Sequence, residues 1–413
     1  MIRIPTGKGT VTLPVLLAIW SVSLVVNLPG LAVSPMLGNL DRIFPGASHL
    51  EIQLLTVLPN LLIIPFVLFS GKLSESRDKV AIVTAGLAVY LAAGILYFFA
   101  DSMAELIVVS CILGCGCGLV IPLAAGLIAD MFVGKYRMRQ LGIKSGISNL
   151  ALVIATFAVG WLNRGNWHTP FLVYLIPAIP LVLLLGVRLG GSRSVVTDSS
   201  VAAPVSLSAQ PQGSGVTGGF IIKRMVGLVG LYAFVTYAVS VVSYYLPFLI
   251  QEDRLGSGVT GTVTSLFYLA VFLPGFFLPG IIKLAGQRTS LMAAVSIAGG
   301  LLLMAVARDC WLLCLSAILM GFGYGVFQPV IYDKATYTVT DGRKTTLALA
   351  VVLSVNYIAI TVTPFIVDFL KSLLGVSDNH FPFVLNFIMT VIFAIVVMAR
   401  GKSFTFCMSN EYI

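Results

Sequence analysis

Residues 114–122 read GCGCGLVIP, and residues 321–329 read GFGYGVFQP. The shared pattern, G-x-G-x-G-x-x-x-P, recurs after 207 residues, about half of the 413-residue chain. The match runs on past the proline without a gap: Asn149 falls on Asn356 and Thr156 on Thr363. Upstream the offset becomes 209, and Pro65 and Gly71 fall on Pro274 and Gly280. Further back, Leu28-Pro29 resembles Leu246-Pro247, with a loop-length difference of nine residues absorbing the shift. The spacing predicts a tandem duplication.

What is duplicated follows from composition. The chain is 58% hydrophobic and only 10% charged, where an ordinary soluble domain carries about 25% charged residues. Its mean hydropathy is +1.02. Too few polar groups are present to cover a water-facing surface, so the solvent is lipid. A membrane-spanning helix needs about 20 mostly apolar residues. Twelve such stretches lie near 12–38, 50–70, 80–100, 104–129, 143–162, 169–187, 225–250, 258–282, 289–307, 311–332, 346–370 and 380–399. They are too long for barrel strands, which take about ten alternating residues. The first run is also too long for the core of a cleavable signal peptide and reads as the first span.

The expected fold is therefore all-α: twelve transmembrane helices in two parallel-repeat six-helix bundles. Six spans is an even number, so both halves enter the membrane in the same direction. The halves are expected at 1–188 and 220–413, joined by a Ser/Gly/Pro-rich flexible linker at 189–219. The net charge is +9, and one alternating threading places 20 of the 25 Lys and Arg residues on the side of the N-terminus. Positive residues collect on the cytoplasmic side, so both termini are expected inside and the protein in the plasma (inner) membrane of a bacterium. A nucleic-acid-binding face would not alternate with span number, and no nucleic-acid partner is expected.

The repeated motif has a mechanical reading. Gly114 and Gly118 share a helix face, as do Gly321 and Gly325, and glycines let helix backbones approach closely in lipid. Pro122 and Pro329 each remove a backbone hydrogen bond and permit a bend. A close-packed, bendable helix in each half suits two bundles that rock against each other; plain helix packing uses the same residues. No strand precedes the glycines and no Lys-Ser/Thr follows them, which excludes a nucleotide loop. Cys111 and Cys115 sit on one helix face without a histidine beside them, so small packing residues are expected there and no metal or cofactor.

Residues 71–79 read GKLSESRDK. Here the chain resembles the major facilitator superfamily, which carries G-x-L-x-D-x-x-G-R/K between its second and third spans. Gly71, Leu73, Glu75 and Lys79 match, with Glu in place of Asp; Asp78 stands where the family has glycine. The resemblance implies the major facilitator fold and a charge gate in which Glu75 and Lys79 meet an acid at the end of span 4, here Asp130. It also implies that spans 1, 4, 7 and 10 surround a central site. The family's antiporter branch shows an arginine where this chain has Ser110, and a G-P-x-x-G-G signature where this chain reads VIATFAVG.

A charge near the membrane centre costs at least about 2.5–3.5 kcal/mol and usually marks function. The stretches place none in mid-span. Their polar residues are neutral: Asn27, Asn60, Tyr237, Ser240, Tyr244, Tyr268, Tyr324, Gln328 and, nearer the cytoplasm, Asn356. Tyr237, Ser240 and Tyr244 share one helix face; Tyr324, Gln328 and Tyr332 share another. Tyrosines offer apolar area with a polar tip, and amides both donate and accept. The expected substrate is a neutral or amphipathic, partly hydrophobic small molecule. The leading expectation is a monomeric secondary transporter, not an enzyme, working by alternating access and exporting rather than importing. Uptake of a neutral nutrient by symport is the alternative, and a non-transporting receptor or sensor the alternative of another class. If protons drive transport, Glu51 and Asp368, near the outer ends of spans 2 and 11, are the expected carriers.

Overall fold

A computed structural model describes residues 3–29, 43–46, 49–162, 166–189, 216–217, 219–252, 258–376, 378–401 and 403–407. Most of the expected linker and Ser208 within it lie outside these. The helices are α1 (Leu13–Val22), α2 (His49–Leu73), α3 (Lys79–Leu96), α4 (Met103–Met131), α5 (Gly134–Leu162), α6 (Ala178–Leu189), α7 (Ile222–Glu252), α8 (Gly258–Ala285), α9 (Thr289–Val306), α10 (Cys310–Ala335), α11 (Thr345–Leu374) and α12 (Phe381–Ala399). Among the described residues nine stretches are long and apolar enough to cross a membrane, one of which, Val259–Val306, holds both α8 and α9. Leu13–Val25 and Val57–Leu73 are shorter apolar helices. Helices are the expected solution in lipid, where the backbone must satisfy its own hydrogen bonds.

One helix start bears on the repeat: Leu13 and Ile222, which begin α1 and α7, are 209 residues apart. The offset of 209 therefore holds at the start of the first span as well. Two further boundaries differ from the hydropathy reading. Span 6 opens as a 3₁₀ segment, Thr169–Leu175, and becomes α-helical only at Ala178; Pro177 at the join has no N–H to continue the ladder. Helix α5 begins at Gly134, nine residues before the apolar stretch, after a left-handed φ of 53° that glycine adopts without strain.

Each half starts with a small antiparallel hairpin: β1 (Arg3–Pro5) with β2 (Thr10–Thr12), and β3 (Val216–Thr217) with β4 (Phe220–Ile221). Both dock on the loop after the fourth helix of their own half. Val133 N–H donates to the Thr6 carbonyl at 3.0 Å, and Thr340 N–H donates to the Gly219 carbonyl at 3.0 Å. Val133 and Thr340 are repeat equivalents at the offset of 207.

The opening motif holds each half together. A methyl on Gly114 would lie 2.7 Å from the Pro59 carbonyl of α2, and one on Gly118 3.0 Å from that of Ile63. The middle glycine, Gly116, faces the other way, with Tyr90 N of α3 at 2.6 Å from such a methyl. In the second half Gly321 and Gly325 meet the α8 backbone at Phe267 and Val271, while Gly323 meets Ala293 of α9. Helices α4 and α10 are thus wedged between two neighbours of their own half. The glycines serve close packing inside each bundle, not a sliding contact between bundles.

The halves meet through α5 against α8 and α10, and through α11 against α2 and α4. The first crossing brings Gly142 onto the Gly275 backbone; in the second, a methyl on Gly71 would lie 3.2 Å from Leu347 Cα and one on Gly126 would strike the Thr346 side chain. Gly71, Gly126, Leu347 and Thr346 lie toward the end of the bundle that carries the hairpins and the basic loops, called the basic end below.

Candidate functional site

A polar seam crosses between the halves where α5 faces α10. Ser145 Oγ donates to Gln328 Oε1 across it. On the α5 side the seam continues to the segment after α1: Asn149 donates to the Ser145 carbonyl at 2.8 Å, and Asn27 donates to Asn149 Oδ1 at 3.3 Å. Trp20 of α1 also donates to Gln140 of α5 at 2.9 Å. On the α10 side the Tyr332 and Tyr232 hydroxyls are 2.9 Å apart, with their rings edge to face. Tyr324 and Thr236 both donate to Asn356 Oδ1, at 3.4 and 3.3 Å. The pairs Asn27–Asn149 and Thr236–Asn356 are repeat equivalents, with offsets of 209 and 207.

The seam contains a cation that hydropathy hid. Lys144 lies ten residues into α5, about 15 Å along its axis. It is 2% exposed, and its Nζ sits 4.9 Å above the centre of the Tyr332 ring. The expectation that the interior lacks an embedded Lys or Arg is corrected: the charged run before residue 145 reads as a loop by composition, yet it is helix buried against protein rather than lipid. Two turns earlier on the same face, Arg137 Nε donates to Asp333 Oδ1 of α10 at 2.6 Å, and its guanidinium stacks 4.6 Å from the centre of Tyr337. Asp333 is fully buried. Its chain neighbour Lys334 turns away, donating to the Phe404 and Thr405 carbonyls at 3.0 and 2.8 Å. The Arg137–Asp333 pair therefore bolts the two halves together at the basic end, below Lys144.

The remaining expected residues fall into separate places. Lys79 pairs with Asp130 at 2.6 Å, within the first half, while Glu75 is held instead by Lys72 at 3.2 Å on the surface. Asp78 caps α3 by accepting from Val80 N–H at 3.0 Å, which is a use for a carboxylate at the position where the family has glycine. Gly71 gives α2 its close approach to α11. Lys8, in the first hairpin, is held below the ordinary lysine value by partial burial and by Arg137, with Asp130 opposing. Tyr237 is buried beside Asn386 of α12 and so turns into its own half; its neighbour Thr236 takes the inward position. Ser240 donates back to the Thr236 carbonyl at 2.8 Å. Tyr244 and Tyr268 lie close together between α7 and α8, and Asn60 is half-buried on α2. Glu51 is half-buried at the start of α2. Asp368 is exposed rather than shielded by packing, and it accepts the Tyr245 hydroxyl at 2.6 Å.

The seam is one-sided. The repeat equivalents of Tyr324, Gln328 and Tyr332 are Cys117, Ile121 and Ala125 on α4, and those of Lys144 and Ser145 are Val351 and Val352 on α11. The related contact between α4 and α11 is accordingly apolar at these positions. Signals for Arg137, Lys144, Ser145 and Gly142 were present as G-x-x-x-G at 142–146 and a seven-residue spacing of cations, both masked by the charge around them.

Two repeated bundles around a polar seam, bolted at one end, define a membrane solute transporter of the secondary type. The chain belongs to the Major Facilitator Superfamily, whose sequence model matches residues 15–256. It is 31% identical over 138 residues to the multidrug transporter protein MdtP of Bacillus subtilis, covering 33% of this chain and 25% of that one. To the quinolone resistance protein NorA of Staphylococcus aureus it is 24% identical over 281 residues, covering 66% of this chain and 68% of that one. Among solved structures, the human organic anion transporter MFSD10 superposes with a TM-score of 0.69 at 14% identity, covering 92% of this chain and 99% of that one. A double-tryptophan mutant of XylE gives 0.76 at 15% identity, covering 96% of each chain. These structural likenesses carry the fold alone. The protein is an integral membrane protein and not an enzyme.

Proposed function

We propose that this chain exports an amphipathic, partly hydrophobic small molecule by alternating access, with the α5–α10 seam lining the path. The observation that carries this reading is the seam itself. It joins the two halves through Ser145–Gln328 and lies directly above the Arg137–Asp333 bolt, where parting of the halves would expose it. The similarity to proteins named for multidrug transport and quinolone resistance supports export. The charge bias supports a bacterial plasma membrane location with the basic end, and both termini, in the cytoplasm. Proton coupling would run through Asp368, whose partner Tyr245 sits on another helix and separates from it if α7 and α11 shift.

The purified protein in liposomes tests this reading. The exposed Lys135→Cys, in a cysteine-free background, reports which molecules present the basic end outward. For those molecules an acidic lumen is expected to drive a lipophilic fluorescent dye inward against its gradient. Asp368→Asn is expected to remove the response to the gradient while sparing dye exchange. Accumulation no greater than in protein-free liposomes overturns the transport reading. Uptake indifferent to the pH gradient overturns the coupling.

A further inference from the structure

We propose that Lys144 anchors an anionic group of the transported molecule, a carboxylate on an otherwise apolar body. The inference rests on the transport reading and names the substrate class for the same seam. Lys144 is buried to within 2% of complete enclosure, inside a membrane-spanning helix. Among the described residues no carboxylate and no side-chain acceptor reaches its Nζ; its one contact of this kind is the face of Tyr332. The nearby charges are already matched, since Arg137 on the same face is paired with Asp333. A buried ammonium with only a ring face beside it is a costly group to keep, and replacing it by an apolar residue of similar size would ordinarily be neutral or stabilising. A substrate carboxylate supplies the missing counter-charge.

The surroundings suit such a ligand. The Tyr232 and Tyr332 hydroxyls, bonded to each other, and the Gln328 amide stand on the facing helices, and rearranging this network turns a donor to the second carboxylate oxygen. The tyrosine rings supply apolar, polarisable surface for the body of the molecule. One cation matches one negative charge, so a monoanion fits and a phosphate dianion is left half-compensated. In the state seen here the halves are bolted one residue beyond Tyr332, at Asp333. Parting them would release Lys144 from the ring and present it to the opening space. Hydropathy predicts a neutral site instead, because it assigns the charged run 135–144 to a loop.

A matched pair of probes tests the assignment: 1-naphthaleneacetate and its uncharged amide, 1-naphthaleneacetamide, with the full-length protein in liposomes. Binding is read separately by tryptophan fluorescence after Trp161, Trp167 and Trp311 are replaced by Phe, leaving Trp20, which touches α5 through Gln140. The parent is expected to bind and carry the acid about tenfold or more in preference to the amide. Lys144→Met is expected to bring the acid-to-amide ratio to about one, and Lys144→Arg to retain it. Equal handling of acid and amide by the parent, with transport present, overturns the anchor and leaves the transport reading standing. Absence of transport for both, with acid-selective binding lost in Lys144→Met, overturns the transport reading and leaves the anchor. A Lys144→Met protein that keeps the acid preference, or that loses only its response to a pH gradient, also overturns the anchor.

Discussion

Asp333→Asn is expected to open the basic end of the bundle. The carboxylate is fully buried and holds Arg137 of the other half at 2.6 Å. Removing one member of a buried pair strands the other, at a cost of about 3–5 kcal/mol. Here the stranded guanidinium has an escape, because parting the halves returns it to water. The loss therefore falls on the closed state and shifts the closed-to-open ratio by about two to four orders of magnitude. Spin labels at the exposed Ser76 and Arg343, one on each half near this end, report the change as a longer distance. Arg137→Met combined with Asp333→Asn removes the stranded charge and is expected to restore much of the closed population. An unchanged distance in Asp333→Asn shows that the pair does not hold the halves.

Two alanine substitutions are expected to separate the roles of the glycines. At Gly116 the added methyl meets Tyr90 N at 2.6 Å, backbone against backbone inside the first half. Overpacking of this kind costs about 1–3 kcal/mol. The α4–α3 contact belongs to a single bundle and is present in every state of the cycle, so Gly116→Ala lowers the apparent melting temperature without moving the labels. At Gly142 the methyl strikes the Gly275 backbone across the halves. The same strain is relieved by separation, so Gly142→Ala lengthens the label distance and leaves the melting temperature nearly unchanged. The reverse pattern of effects contradicts the division between packing within a half and packing between halves.

Hydropathy made the scaffold readable because lipid leaves few alternatives. Long apolar runs must be helices, and the glycine motif fixed the repeat through steric need at two places. Where polar residues meet protein instead of lipid, that logic fails. Residues 135–144 carry Lys135, Arg137, Arg139 and Lys144 and look like a loop, yet they form the first turns of α5, where Arg137 meets Asp333, Gln140 meets Trp20 and Lys144 lies against the Tyr332 ring. The face formed by Tyr324, Gln328 and Tyr332 was visible from spacing alone. Its partners on α5 and α7 were not, because contacts between elements far apart in the chain leave no period to count. The same limit applies to Tyr237 and Thr236. One residue apart on α7, they differ by about a hundred degrees around the helix, and only the neighbouring helices decide which of them faces inward.

The unequal treatment of the two repeat-related contacts has a consequence for stoichiometry. A dimer of identical six-helix units would present its central groups twice, and whatever fitted one position would fit its twin. In this chain Lys144, Ser145, Gln328 and Tyr332 have only Val351, Val352, Ile121 and Ala125 as counterparts. The rotation that relates the scaffolds does not relate the chemistry at these four positions. A molecule held by its charged or polar end therefore finds one orientation and no second berth, and saturation at one molecule per chain is the expected titration endpoint. Within one polypeptide each copy is free to differ from the other, which a symmetric dimer of one chain does not permit.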